Sequence, residues 1–203
     1  MARLVAFLGV ALAAGAGLAL LTIHLQIAMG WFGAALLVGW AMAARHRWLR
    51  AEGDPDFSPG APERVLWLRA AGLALIGDHL LTALMHPHID LHVGQGNSIA
   101  VDSWVLTFAF MIACVVFRRD ARVTDERHDK IVARGVAGGY AMLAAAVFAL
   151  ALFLAFAPRP WRENIDNFVL GNVIVALLLF SYLAMVALQL ALYRPDARAE
   201  TAP

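Results

Sequence analysis

Apolar residues fall in six long blocks, at residues 4–21, 25–44, 65–85, 99–117, 135–157 and 168–193, separated by shorter polar connections. A helix needs about 17–25 predominantly apolar residues to cross about 30 Å of hydrocarbon, and each block is close to that length. The pattern predicts an all-α fold, a polytopic transmembrane bundle of six helices forming one integral membrane domain over residues 1–203. The longest connection, residues 45–64, is too short for a separate soluble domain, so any chemistry sits inside the bundle or on its rims.

Composition agrees with this reading. The chain is 62% hydrophobic and 15% charged, with mean hydropathy +0.70, more apolar surface than a soluble domain of this size can hide. The single cysteine, Cys114, lies inside the fourth block, which excludes an intramolecular disulfide and a cysteine-based zinc cluster. Met-Ala-Arg before the first apolar run resembles a signal peptide. The run is long, however, and no polar cleavage region follows, so a retained first helix is expected.

The basic residues set an orientation. Of the 16 Lys and Arg, Arg3 precedes the first block, Arg45, Arg47, Arg50 and Arg64 lie between the second and third, and Arg69 lies in the first turns of the third on the same side. Arg118, Arg119, Arg122, Arg127, Lys130 and Arg134 lie between the fourth and fifth, and Arg194 and Arg198 follow the sixth. Only Arg159 and Arg162 fall on the other side. Such a bias predicts that both termini are cytoplasmic. Trp31, Trp104 and Trp161 then mark the outer rim, and Trp48 and Trp67 the inner one. The two inner connections also resemble each other, since each follows a Trp-led span, opens on paired basic residues and closes on acids. Duplication and convergence explain this equally well.

Small residues mark packing faces. The fifth block carries Gly135 and Gly139, with Ala137, Ala141, Ala145 and Ala149 at fourth-residue spacing. The first carries Gly9, Ala13 and Gly17. Intramolecular helix packing is expected through these residues, and a homodimer seam on the fifth helix is the sharper alternative.

Polar residues inside spans point toward function. Asp78, His79, Asp102 and Asn172 lie at one depth in the outer half, with His24 and Gln26 at the outer end of the first hairpin. An isolated carboxylate there is costly. The four are therefore expected to converge as a ligand or proton site, with His24 beside them; the plainer reading is a hydrogen-bond network fixing helix register. The outer connection holds His86, His88, Asp90 and His92, a candidate Zn²⁺ site that lacks regular helical ligand spacing apart from His88 with His92. His24 and His79 are the candidates for a bis-histidine haem. The plainer expectation is no cofactor. No nucleophile–base constellation, phosphate loop or dinucleotide fingerprint is present, and Ser181 and Thr107 have no base nearby in sequence. An enzyme is therefore not expected, nor is direct nucleic-acid binding.

The stretch Thr124-Asp125-Glu126-Arg127-His128-Asp129-Lys130-Ile131-Val132-Ala133-Arg134-Gly135 resembles a family of small uncharacterised bacterial inner-membrane proteins. These carry an Asp-Glu-Arg-x-Asp-x-Ile signature before a transmembrane helix. The likeness covers residues 99–194 and includes Asn172 early in the last helix and Gln189-Leu190-Ala191-Leu192-Tyr193-Arg194 at its close. Such proteins are often encoded beside small helix-turn-helix regulators. The resemblance implies a partner in the bacterial cytoplasmic membrane that holds a cytoplasmic regulator, with Asp125, Glu126, Arg127, Asp129 and Lys130 as docking residues. The dense mixed-charge rim adds Arg118, Arg119 and Arg122. Read from the residues alone, the same stretch is a helix start, with Asp125 as cap and Glu126 and Lys130 as an i,i+4 pair.

The expectation at this point is a membrane sensor or sequestering partner of a regulator, lodged in the lipid bilayer. The alternatives are a small transporter or channel using Asp78, His79 and Asp102, and a metal- or haem-binding redox protein. Mid-span prolines that would mark a transporter's broken helices are missing.

Overall fold

The computed structural model describes residues 2–25, 27–51, 61–86, 98–118, 126–159, 165 and 167–193. They form six helices: α1 (Ala2–Leu25), α2 (Gly30–Ala51), α3 (Ala61–Leu84), α4 (Ser98–Val116), α5 (Glu126–Phe156) and α6 (Asn167–Tyr193). No strand occurs among the described residues. The fold is all-α, as the apolar blocks predict.

Several helices run past the apolar blocks. α2 continues through Arg45, Arg47 and Arg50 to Ala51, and α5 begins at Glu126 rather than at Gly135. Arg, Lys and Glu are good helix formers, so leaving the apolar zone does not end a helix. Glu126 and Asp129 also sit at the positive end of the α5 dipole. With 31 residues, α5 is about 46 Å long at ~1.5 Å per residue, well beyond the hydrocarbon thickness.

Four helices are long and apolar enough to cross a membrane: α1, α3, α5 and α6. The apolar run of α4 is shorter, Val101–Val116. The outside of the bundle is itself apolar. Val10, Trp31, Phe148 and Phe156 are all more than half exposed. Water does not tolerate such a surface, whereas a bilayer matches it.

α3 is the hub, and the most buried of the four apolar helices. One face joins Leu4 of α1 and Leu183, Val186 and Leu190 of α6 through Leu66, Ala70, Leu73 and Ala74. Another, through Val65 and Leu68, meets Leu37 and Ala41 of α2 and Ala109 and Ala113 of α4. α2 packs chiefly on α4, and α5 chiefly on α6. Because Leu4 and Leu190 share a cluster, the start of α1 and the end of α6 lie at one end of the bundle. Arg127 reaches the Tyr193 carbonyl, so the start of α5 lies there too. This end carries the basic residues and is called the basic end; the other is the far end.

Two small-residue stripes behave differently from the expectation. Gly135 and Gly139 are buried, and a Cβ on Gly139 would fall 2.7 Å from Cβ of Met185 on α6. Ala137, Ala141, Ala145 and Ala149 are exposed, because they lie on a different face of the helix. On α1, Gly9 and Gly17 face open space, and Gly15 makes the close contact instead, against the α3 backbone at Leu75 and His79.

Candidate functional site

A buried polar centre forms near the far end, where four helices meet. Thr22 lies in the last turn of α1, Asp102 and Ser103 in the second turn of α4, and His79 in the last two turns of α3. Each is within about 8 Å, along its own axis, of a far-end helix terminus. Asp102 and His79 are both 0% exposed.

Asp102 is held from two sides. The Thr22 hydroxyl donates to its Oδ2 at 2.6 Å, and the same Thr22 oxygen accepts the Met29 amide at 3.2 Å. Met29 immediately precedes α2, so Thr22 links the end of α1, the start of α2 and the α4 carboxylate. Gly30 opens α2 against Asp102. A Cβ there would fall 2.6 Å from the Cα, Cβ and Cγ of Asp102, so a larger residue would push the carboxylate away. The start of α2 presents the positive end of its dipole to this acid.

His79 completes the centre. It lies within electrostatic reach of Asp102, and its Nδ1 is 3.3 Å from the Ser103 hydroxyl. That hydroxyl donates its one hydrogen to the Ile99 carbonyl at 3.1 Å. With that hydrogen on Ile99, Ser103 accepts from His79, the imidazole hydrogen sits on Nδ1 and Nε2 is an acceptor; with it turned to Nδ1, the imidazole hydrogen sits on Nε2 instead. Among the described residues, His79 Nε2 and Asp102 Oδ1 are buried without a hydrogen-bond partner. In the first arrangement both are acceptors. Among the described residues that arrangement leaves the centre short of a donor, the place of a proton, a water or hydroxyl, or a small cation. Unsatisfied buried groups of this kind are rare because each costs about 1–3 kcal/mol, more when charged.

The expected cluster thus forms in part. His79 and Asp102 meet; Asp78 does not join them. The half-buried Asp78 turns toward α1 and approaches the backbone at Ala16. Successive helical residues point about 100° apart, and here Asp78 and His79 meet different neighbours, Ala16 of α1 and Ser103 of α4. Asn172 is half-buried on α6 with interactions of its own. It lies eight residues, about 12 Å, beyond Phe180, the ring of which packs at Gly77 of α3. Thr22, Ser103 and Gly30 were not singled out from the sequence. Their only signal was proximity: Ser103 follows Asp102, and Thr22 and Gly30 flank the first turn.

The haem candidates do not share a site, and most of the zinc candidates lie outside the described residues. His24 is exposed at the end of α1 while His79 is fully buried, so the two imidazoles do not share a site. His86 places Nδ1 2.9 Å from the Thr82 carbonyl, and His88, Asp90 and His92 lie outside the described residues. Among the described residues, no three His, Cys, Asp or Glu side chains are grouped to hold a metal ion. Ser181 and Thr107 donate back to Leu177 and Ser103 carbonyls four residues earlier.

At the basic end, Glu126, Arg127, Asp129 and Lys130 are exposed on the first turns of α5, and Arg118 is exposed beyond α4. Asp125, Arg119 and Arg122 lie outside the described residues. His128 faces inward, hydrogen-bonded to the Tyr193 hydroxyl, and Arg127 lies over the Tyr193 ring at 5.7 Å. These contacts tie the charged start of α5 to the end of α6.

Comparison with family models, with curated proteins and with solved structures finds no match to this chain.

Proposed function

We propose that this chain is a non-enzymatic sensor of the bacterial cytoplasmic membrane. All six helices cross the bilayer in this reading, with the basic end cytoplasmic as the positive-inside bias directs. The input is occupancy of the Asp102–His79 centre by a proton or a small donor ligand. The output is the exposed charged face of α5, where Glu126, Arg127, Asp129 and Lys130 dock a cytoplasmic, helix-turn-helix type regulator.

The observation that carries the reading is a pair of buried polar atoms, His79 Nε2 and Asp102 Oδ1, neither of which has a hydrogen-bond partner among the described residues. A centre short of one donor has two states of different stability, empty and filled. The filled state favours whichever arrangement of α1, α2, α3 and α4 suits it. α3 connects the two ends. It carries His79 near one end and packs on α6, to which α5 is attached, along the rest.

The start of α2 beside the Asp102 carboxylate favours a second reading, a transport pathway, since helix ends commonly build such sites. The layer below weighs against it. Leu18, Ile76 and Leu106 close the bundle directly under the centre with apolar side chains. An apolar layer there disfavours passage of a polar solute, while a sensor needs no passage.

The test is capture of soluble proteins from native membranes by the full chain and by two variants. A specific cytoplasmic protein should be recovered with the parent, lost with Glu126→Lys/Asp129→Lys, and recovered in altered amount with Asp102→Asn. The same proteins from all three, or none from the parent, overturns the reading.

A further inference from the structure

A second built feature lies at the basic end. α3 and α5 stand on either side of α6 and leave a cleft of about 110 Å³ between them. From α3 it is lined by Val65, Leu66 and Arg69; from α5 by His128, Val132 and Val136. Those positions recur every three or four residues, so each helix gives the cleft one continuous face. Met185 and Gln189 of α6 form its floor.

The lining divides by chemistry. Arg69, His128 and the Gln189 amide are the cationic or hydrogen-donating groups. Val65, Leu66, Val132 and Val136 are apolar walls, and no carboxylate lines the cleft among the described residues. Arg69 sits eight residues into α3, about 12 Å from its start. A charged group at such depth is expensive in hydrocarbon and needs an anion or the polar interface. Among the described residues no carboxylate bonds Arg69. His128 is fixed by Tyr193 at the mouth. α5 packs chiefly on α6, so the α3–α5 gap opens sideways to whatever surrounds the bundle.

We infer that this cleft holds an anionic phospholipid, its phosphate between Arg69 and His128 and one acyl chain along the valine walls. Charge complementarity chooses the headgroup, and the apolar walls choose a lipid over a free anion. Basic pockets between helices on the positive side of a membrane suit such headgroups. The site does not depend on the sensor reading, because it involves neither Asp102 nor a protein partner.

The experiment compares the purified full-length protein in phosphatidylglycerol and in phosphatidylcholine nanodiscs, with inorganic phosphate added to the latter as a third arm. Bound lipid is counted by native mass spectrometry, and unfolding is followed by heating. The parent should retain phosphatidylglycerol selectively and melt higher with it. Arg69→Gln/His128→Gln should lose most of both effects. Val132→Trp, which fills the apolar part and leaves both polar groups, should reduce retained lipid several-fold. Arg134→Gln, an exposed basic residue on α5 outside the cleft, should change neither. Arg69→Lys keeps the charge and should keep the selectivity if the double variant fails to fold. Equal retention of both lipids overturns the proposal, as does full selectivity in Val132→Trp. Stabilisation by inorganic phosphate equal to that by phosphatidylglycerol overturns the lipid as occupant.

Discussion

Asp102 shows how one residue can constrain four helices. Its carboxylate is fully buried, one oxygen bonded by Thr22 and the other unbonded. Replacing Asp102 by Asn keeps a carbonyl oxygen for Thr22 and removes the charge that burial penalises. The Asp102→Asn protein should fold with a melting temperature equal to or above that of the parent. Thr22→Val should be destabilised by about 1–3 kcal/mol, because it strands Asp102 Oδ2 and the Met29 amide together. Thermal unfolding in detergent measures both, and a Thr22→Val protein as stable as the parent would show that the hydrogen bond carries no weight. Sequence alone disclosed that Asp102 and His79 are buried polar residues at one depth. It did not separate Asp78 from His79, because depth is read from residue number while facing direction depends on 100° steps around a helix with an unknown zero. Thr22 and Ser103 went unnoticed for a related reason. Hydroxyls are cheap in a span, so their presence raises no alarm until a carboxylate is found beside them.

At the scale of elements, α5 separates two kinds of small residue that the sequence presents as one motif. Gly135 and Gly139 form the contact with α6, where Gln189 and Met185 occupy the space a side chain would need. Ala141 and Ala145 point away and are exposed. Gly139→Leu should therefore cost about 1–3 kcal/mol or more, since the added side chain meets Met185 and the Ser181 backbone. Ala141→Leu should leave thermal stability in detergent unchanged. Equal destabilisation by the two would mean that the alanine stripe packs as well, through a second copy of the chain. The same contrast holds on α1. Gly15→Leu should destabilise by forcing α1 off the α3 backbone, whereas Gly17→Leu, in open space, should be tolerated. Spacing made the glycines legible as a packing motif; which face of the helix meets a neighbour is a property of the bundle. Helix ends were the least legible feature, because charged residues such as Arg47 and Lys130 end an apolar block without ending the helix.

For the whole molecule, the pattern of apolar blocks was enough to give six helices, because a bilayer-sized apolar run leaves the backbone few alternatives. Arrangement was not legible. That α3 is the hub, with α2 on α4 and α5 on α6, follows from side-chain fit between segments far apart in sequence. Orientation is a separate matter, set by charge rather than by packing. The helices bring the start of α1, the start of α5 and the end of α6 to one end, and the basic residues follow them there. Fourteen of the 16 Lys and Arg belong to that side. Moving such residues across a membrane is resisted, so this end should face the cytoplasm. Residue 90 should then face outward, as part of the connection from α3 to α4 at the far end. In a Cys114→Ala background, Asp90→Cys should react with a membrane-impermeant maleimide added to intact cells or right-side-out vesicles. A cysteine in place of Arg47, near the end of α2, should react only after the membrane is opened. Labelling of Asp90→Cys from the cytoplasmic side alone would invert the molecule, moving the Asp102–His79 centre to the cytoplasmic leaflet and removing the charged face of α5 from any cytoplasmic partner.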